Sequence, residues 1–389
     1  MNISMIEPVS SHGGMNYYDY GLMTGLGKLG CKVTLYTSSE LKFDISDNKN
    51  LCVKLFYEGI YSGKNKIKRF CKYLWGTYKS LHDSKKRCVQ VVHFQIYAIT
   101  ILEILVLWLI KRFRFPVVVT VHDVESFNKE NSKRGIRFFY NNVDRIIVHN
   151  RISYETLASC LKDYDNGDEI LSRCFIIHHG SYIGQLPEKI DKRIAKQKFS
   201  IESDCFTFLF FGQIKRVKGL DVLMEAFSKL VKSCDKKVKL IIAGKVWKDD
   251  FEIYEKIIKE NNLSEYLILD IKYIDDAEIV NYYSAADSVV LPYKKIFQSG
   301  VLLMAQSYQV PVIVSDLQGM TEIVTDGKNG FVFQTENSDS LCQKMKEVME
   351  YSDNQELLQN AFQKLQTEYN WDDIARQQVE VMQGICKKL

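Results

Sequence analysis

The amino-acid sequence predicts an α/β protein of two domains, each built on a parallel sheet. Its 389 residues exceed what one ordinary α/β core holds. Short apolar runs alternate with helix-length segments along the whole chain, which is the pattern of βαβ units. The polar stretch "PEKIDKRIAKQKFSIESD" at 187–204 divides these runs into two series and places the expected domain boundary near residue 190.

In the first series a strand precedes "HGG" at 12–14, and "CKVTLYT", "VQVVHF", "PVVVTVHD", "DRIIVHN" and "RCFIIHHG" follow. The second series holds "TFLFFG", "VKLIIAG", "SVVLPY", "VPVIVSD" and "GFVF". Right-handed crossovers between parallel strands bring their C-terminal ends to one edge, where ligands bind. Two motifs mislead. "GLGKLG" at 25–30 matches the dinucleotide fingerprint, but it precedes a strand and ends a helical pattern, so Gly30 reads as a helix C-terminal cap. "DYD" at 163–165 lies in the polar turn "KDYDNGDE" with no strand before it, and reads as a solvated loop.

Composition excludes several classes. Charged residues make up 26% and the net charge is only +4, so a general nucleic-acid binder is not expected and any basic patch is local. The ten cysteines are scattered without a CxxC pair, which argues against a zinc site or disulfide framework and for a reducing, cytoplasmic setting. The N-terminus "MNISMIEPVSS" lacks the basic and apolar regions of a signal peptide. Residues 96–110, "IYAITILEILVLWLI", form too short an apolar run to span a bilayer and read as a buried helix.

Four segments carry candidate chemistry. Gly13 and Gly14 allow close backbone approach of a ligand, and the helix start behind them favours an anion. His122 and Asp123 end the strand "PVVVTVHD" at the ligand-binding edge. In "FLFFGQIKRVKG", Gly212 ends a buried strand, and Arg216 and Lys218 stand between it and the next helix. Two cations there suit a diphosphate, Arg in bidentate fashion and Lys as a point charge. "QSG" at 298–300 opens another helix, so the N–H groups of Ser299, Gly300 and Val301 are expected to point out of it as a second anion site.

These pieces together resemble the GT-B glycosyltransferases of glycosyltransferase family 4, the retaining, nucleotide-sugar-dependent class. The resemblance lies in "HGG", "TVHD", "FFGQIKRVKGLDVLMEAF", "AADSVVLPY", "QSGVLLMAQSYQVPVIVSDLQGMTEIVTDGKNGFVF" and "YNWDDIA", in family order over nearly the whole chain. It implies two Rossmann-like domains whose parallel sheets face a central cleft. Residues 1–190 would bind the acceptor, joined by a C-terminal helix within 370–389 that crosses back, and 191–369 would bind the nucleotide sugar. His122 would lie near the transferred sugar, Arg216 and Lys218 would hold the diphosphate, and Gly13, Gly14, Gly212, Gln298, Ser299, Gly300 and Val301 would line the donor. Neither metal nor cofactor is implied, because cations and helix termini offset the leaving-group charge. The implied donor is a UDP- or GDP-sugar, and the implied acceptor a glycan or lipid-linked hydroxyl in bacterial surface polysaccharide biosynthesis. Two departures stand out. Ile296 and Met304 occupy the positions of a glutamate pair common in the family, as in a branch with "QSG" in place of the first, and Gln213 stands where a cation is frequent.

Residues 64–87 hold nine Lys/Arg and one acid, Asp83, interleaved with Phe70, Tyr73, Leu74, Trp75 and Tyr78. Such a basic amphipathic helix suits an anionic membrane surface, and implies a protein peripheral to the inner face of the cell membrane. A solvated helix with an inward apolar face is the plainer reading. Two other functions stay open: a GT-B sugar-nucleotide epimerase or hydrolase using Asp123 or Glu125, and a catalytically silent sugar-nucleotide-binding partner.

Overall fold

The computed structural model describes residues 1–9, 14–62, 65–124, 133–247, 249–351 and 354–386. Gly13, Lys64 and Glu125, all singled out above, lie outside the described residues. The chain divides into two compact units, Met1–Gly180 with Glu368–Leu389, and Ser181–Thr367.

In the first unit, β1 (Asn2–Ile6), β2 (Lys32–Tyr36), β3 (Leu51–Lys54), β4 (Val91–Ile96), β5 (Val117–Val121), β6 (Arg145–Val148) and β7 (Cys174–Ile176) form a sheet. Their order is β3-β2-β1-β4-β5-β6-β7, and every pairing is parallel. Strand side chains alternate between faces. Val117, Val119 and Val121 accordingly join one core with Val92, Phe94 and Ile96, while Val118 joins the other with Val91 and Ile3. Both faces are covered, so the strands read as continuous apolar runs rather than alternating ones.

In the second unit, β8 (Phe206–Phe211), β9 (Val238–Ala243), β10 (Leu267–Asp270), β11 (Ser288–Leu291), β12 (Val312–Ser315) and β13 (Phe331–Phe333) form a second parallel sheet. Its order is β10-β9-β8-β11-β12-β13. The strand order reverses between β1 and β4 in the first sheet and between β8 and β11 in the second. In open parallel sheets such a reversal, at the strand C-termini, is where ligands bind.

Three local expectations change or sharpen. "GLGKLG" ends helix α1 (Met15–Lys28), and Gly30 turns the chain into β2 with φ of 75°. The segment expected as a buried helix becomes α3 (Ile101–Arg112), which buries Val106, Leu107 and Ile110 but leaves Ile101 and Trp108 exposed. α3 packs on helix α2 (Lys66–Lys86), so only one side of it faces the core. β3 and β10 were not expected from the pattern. Each lies at an edge of its sheet, where fewer apolar positions are required.

The final helix, Trp371–Cys386, packs along α1. Its first residue drives the fit. A Cβ on Gly21 would lie 2.1 Å from the Trp371 ring and one on Gly180 2.2 Å from it. Two glycines thus form a notch that the indole fills, and the ring meets Tyr18 edge-on at 5.2 Å. Gly21→Ala is expected to destabilise the protein by about 1–3 kcal/mol through overpacking. The same change in a Trp371→Ala background is expected to cost much less, because the two residues share one space. Urea unfolding midpoints of the four proteins test this coupling.

Candidate functional site

In the second unit the polar groups gather where β8 and β11 end. Gly212 follows β8 directly, and a Cβ there would lie 3.4 Å from Val301 Cγ2. The glycine after β8 and the first turn of the Gly300–Ser307 helix are therefore neighbours. A single 3-10 turn, Arg216–Lys218, comes next, and Gly219 caps the Leu220–Ser233 helix with φ of 66°. This left-handed conformation strains any side chain, and a Cβ at Gly219 would sit 1.8 Å from the Pro292 carbonyl oxygen. The loops after β8 and β11 thus press together. Lys294 N–H donates to the Val217 carbonyl at 2.9 Å, and Lys294 Nζ pairs with Asp221 at 2.6 Å.

The two expected cations meet different surroundings. Lys218 Nζ lies 3.6 Å from the centre of the Tyr293 ring. Burial there pushes the ammonium down to about 7, since the ring face offers only partial compensation for lost water. Arg216 is 76% exposed, and its Nε lies 3.7 Å from Asp249 Oδ1. Ser299 caps the Gly300–Ser307 helix, its hydroxyl accepting from Leu302 N–H at 3.2 Å. Leu303 N–H begins the backbone ladder by donating to the Ser299 carbonyl. Gly300 and Val301 precede it, so their N–H groups have no acceptor in their own helix. Half-buried Gln298 stands just before the cap. Met304 is 7% exposed, so an apolar thioether fills the position where the family's second glutamate was expected.

In the first unit, Gly14 caps α1 in the left-handed region at φ of 89°. His122 follows β5 and its ring lies between two aromatic neighbours, Tyr97 stacked at 5.0 Å and Tyr18 edge-on at 4.9 Å. Both ring nitrogens are engaged: Nε2 lies 2.8 Å from Gln95 Oε1 and Nδ1 3.2 Å from His149 Nε2. Burial, then His149, His179 and His93, hold this imidazole well below the usual histidine range. The "DYD" turn is exposed, and Asp165 pairs with Arg137 at 3.2 Å.

Solved structures share this architecture over the whole chain. Sucrose-phosphate synthase from Thermosynechococcus elongatus superposes with a TM-score of 0.73 at 18% identity, covering 100% of both chains. An Anabaena protein solved in complex with UDP gives 0.73 at 16% identity, covering 99% of this chain and 100% of that one. Residues 191–365 match the glycosyl transferases group 1 family, and residues 12–166 match Glycosyltransferase Family 4. The chain belongs to the GT-B glycosyltransferases of the family 4 type.

Relatives of this glycosyltransferase are distant. An uncharacterized glycosyltransferase of Methanocaldococcus jannaschii is 25% identical over 264 residues, 67% of this chain and 66% of that one. A D-inositol 3-phosphate glycosyltransferase of Corynebacterium urealyticum is 22% identical over 398 aligned positions, 96% of this chain and 91% of that one. A capsular polysaccharide biosynthesis glycosyltransferase of Staphylococcus aureus is 25% identical over 186 residues, 45% of each. The match thus spans just under two thirds of the first relative and under half of the third.

Sequence reasoning missed several partners of the candidate residues. Tyr293 under Lys218 stood in the quoted "LPY" without a role, and an aromatic two residues after a strand was its only signal. Asp249 beside Arg216 lies in a polar loop after β9 and had none. In the first unit, Gln95 and His149 are strand-end polar residues in apolar runs, a signal as good as that of His122. The Gly219 contact predicts a measurable asymmetry. Gly327 has a similar φ of 69° but no atom within 4 Å of an added Cβ. Gly327→Ala is expected to cost about 1 kcal/mol, the left-handed penalty alone. Gly219→Ala is expected to lower the melting temperature further and to speed hydrogen exchange at the Lys294 amide, which the loop contact protects.

Proposed function

We propose that this glycosyltransferase transfers a sugar, with retention of anomeric configuration, from a UDP- or GDP-sugar to a hydroxyl of a glycan or lipid-linked acceptor. The observation that carries the reading is the meeting of Lys218, the Arg216 turn and the Gly300–Ser307 helix start at the reversal of the second sheet. Fixed cations and unpaired N–H groups at one edge suit a diphosphate, which gains negative charge as the sugar leaves. Arg216 and Lys218 hold it; the backbone of Ser299, Gly300 and Val301 donates to it; Gly212 and Gln298 border it. The Anabaena protein, also solved with UDP-glucose, supports the donor class. Gly13, Gly14 and His122 of the first unit serve the phosphates and the transferred sugar. The diphosphate oxygen that departs assists deprotonation of the acceptor, so no carboxylate nucleophile and no metal is required.

Surface polysaccharide assembly is the proposed setting, supported by the capsular relative. A membrane surface fits α2. Its fully buried residues are Gly76, Thr77, Ser80, Leu81 and Ser84, and Tyr73 and Leu74 pack half-buried against the core. Ile67, Phe70, Trp75 and Tyr78 are exposed among the lysines, and so is Trp108 of α3, the helix that packs on α2. The inward face accounts for Tyr73 and Leu74 but not for the exposed Phe70, Trp75 and Tyr78, which suit lipid contact. Among the described residues no helix is long and apolar enough to cross a membrane.

Product analysis with a panel of nucleotide sugars, with and without lipid acceptor, tests the assignment. Transfer with a retained anomer, unaffected by chelator, is expected. An inverted anomer, or epimerised or hydrolysed donor alone, contradicts it. Arg216→Ala and Lys218→Ala are each expected to weaken donor binding by about 1–3 kcal/mol, the scale of a charge-assisted hydrogen bond. Turnover is expected to fall further, and unchanged kinetics in both returns the cations to a solvated loop. In vesicle sedimentation, Gln at Lys66, Lys68, Arg69 and Lys72 is expected to abolish binding to anionic vesicles, each cation contributing about 1 kcal/mol. Equal binding of the wild type to neutral and anionic vesicles removes the membrane claim.

A further inference from the structure

Four buried or half-buried side chains of the first unit form one row: Asp19 of α1, Gln95 of β4, and His122 and His149 after β5 and β6. Gln95 Nε2 lies 2.9 Å from Asp19 Oδ1, and Gln95 Oε1 lies 2.8 Å from His122 Nε2. His122 Nδ1 lies 3.2 Å from His149 Nε2, and His149 Nδ1 lies 3.0 Å from the Ile177 carbonyl oxygen. A carbonyl oxygen only accepts, so His149 Nδ1 carries a proton.

From that fixed end the row has two self-consistent solutions. With both imidazoles neutral, His149 Nε2 accepts, His122 Nδ1 donates, and His122 Nε2 must accept in turn. An accepting nitrogen cannot face an amide oxygen, so the Gln95 amide turns over. Its two ends are nearly isosteric, and both orientations fill the same space. The amide then gives N–H to His122 and presents oxygen to Asp19, which must carry a proton to donate. In the other solution the amide keeps its oxygen toward His122. The histidine pair then carries a positive charge, and Asp19 is a carboxylate. Either way the row holds one proton more than a carboxylate with two neutral imidazoles.

We propose that this extra proton rests on Asp19, and that Asp19 and Gln95 thereby hold His122 as a neutral imidazole protonated on Nδ1. The surroundings select this form. Asp19 is fully buried, and its Oδ2 has no partner among the described residues, which a charged carboxylate tolerates poorly. Burial first, then the nearby Glu7 after β1, raises its carboxyl well above the usual range. The histidines around the row disfavour a second cation. Burial lowers His149 to about 3, and His93 and His179 each to about 4, while His178 adds to the repulsion on His149. His93 is bonded to Thr120 and His179 to the Gly180 carbonyl, and the neighbouring Tyr18 and Tyr97 hydroxyls are held protonated by burial. A neutral row costs less in this environment than separated charges.

The chemical consequence rests on the proposed reading that His122 serves the transferred sugar. That sugar gains positive, oxocarbenium-like character as its bond to phosphate breaks. An imidazolium beside it would oppose the charge, and a neutral ring does not. Asp19 and Gln95 are thus positioning residues that act through His122.

The full chain labelled with ¹⁵N-histidine and ¹³C-aspartate tests this. At neutral pH the spectra are expected to show His122 with a protonated Nδ1 and an unprotonated Nε2. An infrared band of an un-ionised carboxyl is expected in the wild type and absent in Asp19→Asn. Asparagine still donates N–H to Gln95, so the His122 spectrum is expected to persist in that variant. Two protonated nitrogens on His122 or His149, with no un-ionised carboxyl, overturns the proposal. The wild-type spectra decide the matter alone should the variant fail to fold. Normal transfer by His122→Gln would instead remove the role of His122 at the sugar and leave the proton assignment standing.

Discussion

A parallel strand can be followed by a parallel neighbour only through a crossover, and that constraint organises everything the chain offers a ligand. Each crossover returns the next strand from the same end, so β1 to β7 deliver Glu7, Gln95, His122 and His149 to one edge of the first sheet. β8 to β13 likewise deliver Gly212, Tyr293 and Asp316 to one edge of the second. The interiors of both sheets are mostly apolar on both faces, with a few hydrogen-bonded polar side chains such as His93 and Thr120, and the carboxyl edge gathers the polar groups named here. Where the strand order of the second sheet reverses, the loops after β8 and β11 pack together, and there Lys218 and the Gly300–Ser307 helix start meet.

Close backbone approach then fixes these loops. Gly219 lies against Pro292, and a Cβ on Gly244 would fall 1.8 Å from the Gly212 oxygen. Such contacts hold the turn that carries Arg216 and Lys218 without help from the side chains themselves. The cations are therefore free to face a ligand: Arg216 is mostly exposed, and Lys218 leans on an aromatic face rather than on an acid. The same logic governs the Trp371 notch. A tryptophan in "YNWDDIA" carries little information alone, but two glycines from distant parts of the chain give it one place to go.

Central strands were legible because a doubly covered strand is apolar at nearly every position, as "PVVVTV" and "FTFLFF" are apart from one threonine each. Of the four edge strands, β7 and β13 were legible as apolar runs while β3 and β10, each ending on a charged residue, were not. Site residues were legible where a residue type was anomalous in its setting, as with Arg216 and Lys218 between a strand and a helix. They were illegible where the partner came from a different crossover: Tyr293 under Lys218, Asp249 near Arg216, and the Asp19–Gln95 support of His122. Those pairings depend on which strands become neighbours, which a local pattern does not encode. The aromatics of α2 were visible in the sequence, but not that Phe70, Trp75 and Tyr78 face outward while Tyr73 packs inward, since an inward apolar face fits the same spacing.

The central claim is that Lys218 meets a diphosphate, and its depressed ammonium gives that claim a direct measurement. UDP and GDP are fully ionised at about pH 8, one unit above the free Lys218 value, so an adjacent diphosphate must draw a proton onto the amine. Calorimetric titration in two buffers of different ionisation heat reads this as net proton uptake on binding. Uptake by the wild type, lost in Lys218→Met, is the predicted result. Binding with no proton uptake, equal in both proteins, would contradict a diphosphate at Lys218.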